Sequence, residues 1–354
     1  MGTTENRHRL ERNHRTPVKP PKKNRKVQGM KVMIFLLSVL VLALGVISGI
    51  TIIKNKEITL TKPYDKSDAV FGIEKVQFNA SRASSFSENL CVATGNEDES
   101  SLNLTSKAAG SFDLASGSVD YAQNIFDKMY PASITKVMTA LVTLKNCNLD
   151  ETVTIGTECE DIESGSSICM IEPGDQLTVE QLLYGLLLNS GNDAAMSLAV
   201  HVGGSVDHFV EMMNEEAASL GATGTHFMNP HGLQNENHYT TAYDIYLIFQ
   251  EALKYDAFQE IIASSEYYCV FIRDNDKYGI MWQSTNYYHI DEATPPQDVE
   301  VIGGKTGTTD EAGCCLCLLA KDKYGESHVS VILNAPDKDT LYSEMNRLLT
   351  LINE

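Results

Sequence analysis

The chain has 354 residues, 43% of them hydrophobic and 21% charged. This is the composition of a folded protein with room for one large domain or two ordinary ones, and it excludes a wholly disordered chain. The formal charge of −19 is unevenly placed: residues 1–31 hold ten Lys/Arg against two Asp/Glu, a net of +8, so the remainder carries −27 and is a poor partner for nucleic acid.

In chain order, residues 1–31 are Pro- and Lys-rich and are expected to be a basic cytoplasmic tail. Residues 32–53, from Val32 to Ile53, contain no charge. About twenty helical residues cross a hydrocarbon core of ~30 Å, and the preceding basic flank keeps the N-terminus inside, leaving the bulk of the chain outside the membrane. The run exceeds the ~7–15 residues of a signal-peptide core. It ends in Ile and Thr, so a retained transmembrane anchor is expected; Ser48 and Gly49 leave cleavage as the alternative. Residues 54–88 are polar, lack a sustained period and read as a stalk, and 89–354 read as one folded domain.

Within that domain, residues 107–123 read as a hairpin turning at Ala115-Ser116-Gly117. Pro131 precedes a helical pattern that begins near Ser133 and runs through Val137, Met138, Leu141 and Val142. Thr178 and Gln181 form a capping box ahead of another helix, and 192–202, 205–220 and 241–253 share the helical period. Residues 299–302, 313–320 and 328–333 read as strands, and 336–353 as a closing amphipathic helix. Strands at both ends with helices between them imply an α+β fold: an antiparallel sheet completed by distant parts of the chain, flanked by helices and carrying a helical insertion.

Three short motifs bear chemistry. In Ser133-Ile-Thr-Lys136 the serine and lysine are three residues apart on one helical face, a nucleophile and base without histidine. A lysine at its ordinary pKa of ~10.4 is neutral in about 0.04% of molecules at pH 7, so the base needs burial or a second cation to lower it. Ser190-Gly191-Asn192 joins two helical stretches and offers a hydroxyl and an amide for proton relay and substrate binding. Gly304-Lys305-Thr306-Gly307-Thr308 follows a strand and offers a cation and hydroxyls to a terminal carboxylate. It is not a phosphate loop, because Val299 stands where the earlier glycine is required.

The order and rough spacing of these motifs match the S-x-x-K, S-x-N and K-T-G set of penicillin-interacting serine enzymes, whose middle motif also occurs in an S-D-N form. Together with YPASITKVMTALV, IEPGD, LLLNSGNDAA, NPHGL, HYTTAYD and GGKTGTT, they make the chain from about Lys107 onward resemble the D-alanyl-D-alanine carboxypeptidase family of low-molecular-mass penicillin-binding proteins. The S-G-N form, and the lack of an E-x-x-L-N-like element, set it apart from class A β-lactamases.

The resemblance implies a β-lactamase/DD-peptidase-like fold and a serine carboxypeptidase acting on peptidoglycan stem peptides, with β-lactams as covalent inhibitors. It makes Ser133 the nucleophile, Lys136 its proton acceptor, Ser190 and Asn192 the relay and amide-binding groups, and Lys305, Thr306, Gly307 and Thr308 the substrate-binding strand. The backbone N–H groups of Ser133 and Thr308 would form the oxyanion hole. Neither cofactor nor metal is expected, since the chain supplies every reactive group and no Cys/His cluster has zinc spacing. An endopeptidase or transpeptidase of the same chemistry is the alternative, as is a penicillin-binding sensor or scaffold that does not turn over.

Other residues are given quieter roles. Where several relatives carry an arginine after the lysine motif, the nearest positions here are Ser327 and His328, which throws carboxylate recognition onto Lys305. His231 is expected to fix a loop, the acidic run Glu158, Glu160, Asp161 and Glu163 to be a solvated surface, and Tyr267, Tyr268, Tyr287 and Tyr288 to pack strands. Among the eight cysteines, Cys159 and Cys169 are the expected disulfide, while Cys314, Cys315 and Cys317 are expected as buried thiols.

Overall fold

The computed structural model describes residues 90–93, 102 and 104–353. The tail, apolar run and stalk expected at 1–31, 32–53 and 54–88 lie outside the described residues. Among the described residues no helix is long and apolar enough to cross a membrane.

The expected hairpin is β1 (Ala108–Asp113) and β2 (Val119–Gln123), turned by Gly117 at φ +73° and by the Asp113 carboxylate, which accepts from Ala115 N and Ser116 N. A 3₁₀ turn, Ala132–Thr135, leads into α1 (Lys136–Asn146). Two three-residue strands follow, β3 (Thr152–Thr154) and β4 (Gln176–Thr178). The Thr178–Gln181 capping box opens α2 (Val179–Leu187) as expected. Then come α3 (Asn192–Gly203), α4 (Val206–Ser219, capped by Ser205), α5 (Ala242–Ala252, capped by Thr241) and α6 (Asp256–Ala263). The chain continues through β5 (Glu266–Arg273), β6 (Asp276–Gln283), β7 (Glu300–Thr309), β8 (Gly313–Lys321) and β9 (Ser327–Ala335) and closes with α7 (Lys338–Leu351).

The main sheet is antiparallel with order β2-β1-β9-β8-β7, so the first strands of the domain complete a sheet made by the last. Both faces are covered. Leu316, Leu318 and Ala320 of β8 meet Leu341, Met345, Leu348 and Leu349 of α7. Cys315, Cys317 and Leu319 face the larger core, with Val329, Val331 and helices α1, α2, α3 and α5. A strand buried on both sides needs apolar residues at every position. That explains the cysteine-rich run: Cys315 and Cys317 are fully buried and act as small hydrophobes.

A second antiparallel sheet, β3-β4-β5-β6, was not anticipated. Its first two strands are too short to show alternation. Its hairpin turns at Asp274-Asn275, both at positive φ, between the paired residues Arg273 and Asp276, a two-residue turn of the kind Asn and Asp favour. The expected Cys159–Cys169 bridge is corrected: both are buried free thiols. Cys169 turns its sulfur into the space beside Gly185 and Gly191, where an added Cβ would come within 2.6 and 2.2 Å of it.

Candidate active site

The turn that presents Ser133 is under backbone constraint. Ala132 has φ +46°, a left-handed conformation disfavoured for a residue with a side chain. Two glycines let the chain close around it. Gly232, at φ +92°, lies so near that an added Cβ would be 1.9 Å from Ala132 O, and at Gly307 it would be 2.9 Å from Ser133 N. A relay of hydrogen bonds holds the same carbonyl. Met228 N–H donates to His238 Nδ1 (3.1 Å), His238 Nε2 contacts Thr135 Oγ1 (2.8 Å), and the Thr135 hydroxyl donates to Ala132 O (2.8 Å). With Nδ1 accepting, Nε2 carries the proton, and burial lowers His238 to about 4, so the imidazole is neutral.

Lys136, one helical turn beyond Ser133, is completely buried. Its Nζ lies 2.9 Å from Ser133 Oγ, 2.7 Å from Asn192 Oδ1 and 2.8 Å from His231 O. A neutral amine has two N–H donors and one lone pair. The amide oxygen and the backbone carbonyl can only accept, so they take both donors and leave the lone pair for the serine hydroxyl. Burial, then the nearby charge of Lys305, pushes Lys136 well below the usual lysine range.

Lys305 lies within β7, which continues through the motif to Thr309 rather than ending before it. It is fully buried, donates to Ser190 Oγ (3.0 Å) and Thr306 O (2.9 Å), and is lowered to about 7 by burial. Ser190 sits at φ +59° in the link between α2 and α3, so its hydroxyl meets Lys305 while Asn192, two residues on, meets Lys136. The two lysines thus clamp the S-G-N link from either side.

These groups meet at a cavity of about 230 Å³ whose walls include Ser133, Ser190, Thr306 and Thr308. Thr306 Oγ1 is 2.6 Å from Thr285 Oγ1, which also lines the cavity. Every motif residue named from the sequence therefore falls at or beside one cleft. Gly307 gives β7 its close approach to the Ser133 turn, and β7 is an edge strand of the main sheet.

The structure corrects or extends several roles. Ser327 and His328 do not line the cleft, and His328 is buried against Asp120 (2.9 Å). Lys338, at the start of α7, does line it; it is exposed, its Nζ lies 5.0 Å from the Tyr287 ring centroid, and it forms no ion pair among the described residues. Tyr287, expected to pack a strand, instead lines the cleft and stacks on Tyr342 (4.7 Å), because residues 284–298 form a loop rather than a strand. Tyr267 does pack β5, stacking on Tyr184 (3.8 Å). His231 acts through its backbone carbonyl, and its ring accepts from Leu233 N (3.1 Å).

Sequence reasoning missed Asp193 and His238. The buried Asp193 carboxylate accepts from Cys169 N at 2.8 Å and Ile171 N at 3.3 Å, fastening the 156–175 loop to the S-G-N link. The same loop is tied to β5 by Arg273, which donates from Nε and Nη2 to the two Asp175 oxygens (2.8 and 2.7 Å). Asp193 follows a motif residue directly and could have been singled out for that reason; nothing local marks His238.

A family model described as D-alanyl-D-alanine carboxypeptidase matches residues 94–337. The chain is similar to the D-alanyl-D-alanine carboxypeptidases DacF of Bacillus subtilis (32% identical, covering 71% of this chain and 62% of that protein) and DacC of Escherichia coli (35%, 67% and 58%). It therefore spans 58–62% of the length of these curated relatives. Its fold is similar to the crystal structure of a Streptomyces DD-transpeptidase (TM-score 0.66, 28% identity, 71% of this chain and 98% of that one). It is also similar to that of a D-alanyl-D-alanine carboxypeptidase from Mycobacterium tuberculosis (0.64, 30%, 73% and 95%). With the DD-peptidase fold and the family's three motifs gathered at one cleft, the chain belongs to the D-alanyl-D-alanine carboxypeptidase family.

Proposed function

We propose that the chain is a serine D-Ala-D-Ala carboxypeptidase that removes the terminal D-alanine from peptidoglycan stem peptides through an acyl-enzyme on Ser133. The observation that carries this reading is the coordination of Lys136 Nζ: two obligatory acceptors fix its donors and aim its lone pair at Ser133 Oγ.

In the first half-reaction Lys136 takes the hydroxyl proton as Ser133 Oγ attacks the carbonyl between the two D-alanines. The tetrahedral oxygen is received by the backbone N–H groups of Ser133 and Thr308. Ser190, hydrogen-bonded to Lys305, passes its proton to the departing amine and regains the one Lys136 took, so D-alanine leaves with Lys136 neutral again. Asn192 Oδ1 is committed to Lys136, so its Nδ2 is the group available to a substrate carbonyl. Water then attacks the ester as Lys136 takes its proton, and that proton returns to Ser133 Oγ as the ester bond breaks and the shortened peptide leaves. β-Lactams would acylate Ser133 by the same first step.

Carboxylate recognition falls to Thr306 and Lys338 rather than to Lys305 alone, because Lys305 is buried and already engaged by Ser190 and Thr306 O. Lys338→Ala is therefore expected to raise KM for a D-Ala-D-Ala peptide by roughly tenfold or more, as for loss of a charge-assisted contact. The C-terminally amidated peptide should be hydrolysed equally by both proteins. An equal loss on both peptides would remove Lys338 from this role.

The solved Streptomyces relative is called a transpeptidase, which favours a second reading in which an amine replaces water as acceptor. Product analysis with an added amino-acid acceptor separates the two by the ratio of transfer to hydrolysis.

The charge asymmetry around Val32–Ile53 supports a single-pass protein with its N-terminus cytoplasmic and its catalytic domain outside. The full-length chain should then stay in the membrane fraction after a salt wash, and protease added to intact spheroplasts should digest the domain. Release of the whole chain as a soluble protein would count against the anchor.

A further inference from the structure

At the ends of α1 and α3 remote from the nucleophile, a second group of reactive side chains converges. Cys147, Glu151 and His201 bring one thiol, one carboxylate oxygen and one imidazole nitrogen within 4.8 Å of one another. They come from two places: the link between α1 and β3, which holds Cys147 and Glu151, and the last turn of α3. His201 joins the other two only through the fold. His201 Nε2 and Glu151 Oε2 are 3.4 Å apart, close to the ~3.3–3.8 Å edge of a tetrahedron with zinc bond lengths of about 2.0–2.3 Å.

The carboxylate is also oriented from behind. Asn148 donates from its backbone N (2.6 Å) and its Nδ2 (2.8 Å) to Glu151 Oε1, leaving Oε2 for the cluster. Outer contacts of this type fix ligand carboxylates in metal sites. Cys147 is half-buried, whereas the other seven cysteines are buried, so it is the thiol within reach of solvent. It borders a hollow of about 380 Å³ whose walls include Asp150 and Asp256, acidic groups that favour entry of a cation.

We propose that Cys147, Glu151 and His201 form a zinc-type metal site, three protein ligands with water in the fourth position. The donor set of one thiolate, one imidazole and one carboxylate suits Zn²⁺ rather than Ca²⁺ or Mg²⁺. Binding expels the thiol proton to solvent and forms the Zn–S bond, with no change of oxidation state. The position gives the site a structural meaning. Lys136 begins α1 and Asn192 begins α3, and they meet in the active site. Cys147 and His201 lie about 14–17 Å further along the same helices. The metal would staple the far ends of the two helices whose near ends hold the catalytic base.

Cobalt reports such a site directly, because a thiolate ligand gives a charge-transfer absorption that carboxylates and histidines do not. The reduced, metal-free full chain is titrated with Co²⁺ and back-titrated with Zn²⁺, beside Cys147→Ser and His201→Gln. One equivalent of cobalt should develop the thiolate band, zinc should abolish it, and zinc should raise the thermal midpoint of the parent. Cys147→Ser should lack the band, and His201→Gln should need at least ~100-fold more cobalt. Cooperative thermal unfolding of each variant checks that it is folded. Absence of the band, its survival in Cys147→Ser, or identical titrations of parent and His201→Gln would overturn the assignment.

Discussion

Replacing Lys136 by methionine is expected to slow acylation of Ser133 by about 10²–10⁴-fold, for a D-Ala-D-Ala peptide and for a β-lactam alike. The variant keeps the bulk that fills the buried space but removes the lone pair aimed at Ser133 Oγ. Stopped-flow acylation by a chromogenic β-lactam checks this, since it reads the first half-reaction alone. The pH profile carries the second half of the prediction. Burial and the Lys305 charge both lower Lys136. Removing that charge in Lys305→Met raises the Lys136 pKa, so the acid limb of acylation should move to higher pH. An unmoved limb would assign it to another group.

Lys305→Met also makes a prediction for stability. The folded-state pKa of Lys305, about 7, lies below its ordinary value of 10.5. Between those values the unfolded chain binds the proton and the folded chain does not, so parent stability should rise with pH from 7 to 10.5. Below pH 7 both states are protonated, and the full cost of a buried charge is present. The methionine variant escapes that cost and should be about 1–4 kcal/mol more stable at pH 6, with the difference fading toward pH 10. Denaturant unfolding at pH 6 and pH 9 measures it.

The largest structural effect is expected at Gly232. Alanine there would put its Cβ 1.9 Å from Ala132 O in a backbone at φ +92°, so the loop must retreat from the nucleophile's turn. Strain and overpacking together should cost ~2–4 kcal/mol. The retreat also moves His231 O, one of the two acceptors that orient Lys136, so acylation should fall even in molecules that remain folded. The reverse pattern, normal acylation with lowered stability, would show that the loop supports the turn without orienting the base. Gly174 provides the control. It also has positive φ, but open space surrounds its Cβ position, so alanine there should cost only the backbone strain.

Much of the site was legible in the sequence because its chemistry is carried by three short, local motifs. Ser133 and Lys136 share a helical face by spacing alone, and Lys305 follows an apolar run that reads as a strand. The main sheet was legible for a similar reason: its strands are long and bounded by clear turns. The second sheet was not, since β3 and β4 have three residues each and β5 exposes Tyr268 and Val270, which blurs its alternation.

Long-range partners were the other loss. His238 reaches Thr135 across 103 residues, and Lys338 reaches the cleft only because α7 starts beside it. Cysteine pairing failed as a guess because proximity in sequence does not set side-chain direction: Cys169 points toward Gly185 and Gly191.

The central claim is that Ser133, activated by Lys136, releases D-alanine. The most direct measurement is D-alanine formation from a tripeptide ending in D-Ala-D-Ala, by the full-length chain and by Ser133→Ala under the same conditions. Release by the parent and none by the variant is the predicted result. No release by a parent preparation that unfolds cooperatively, or equal release by both proteins, would contradict it.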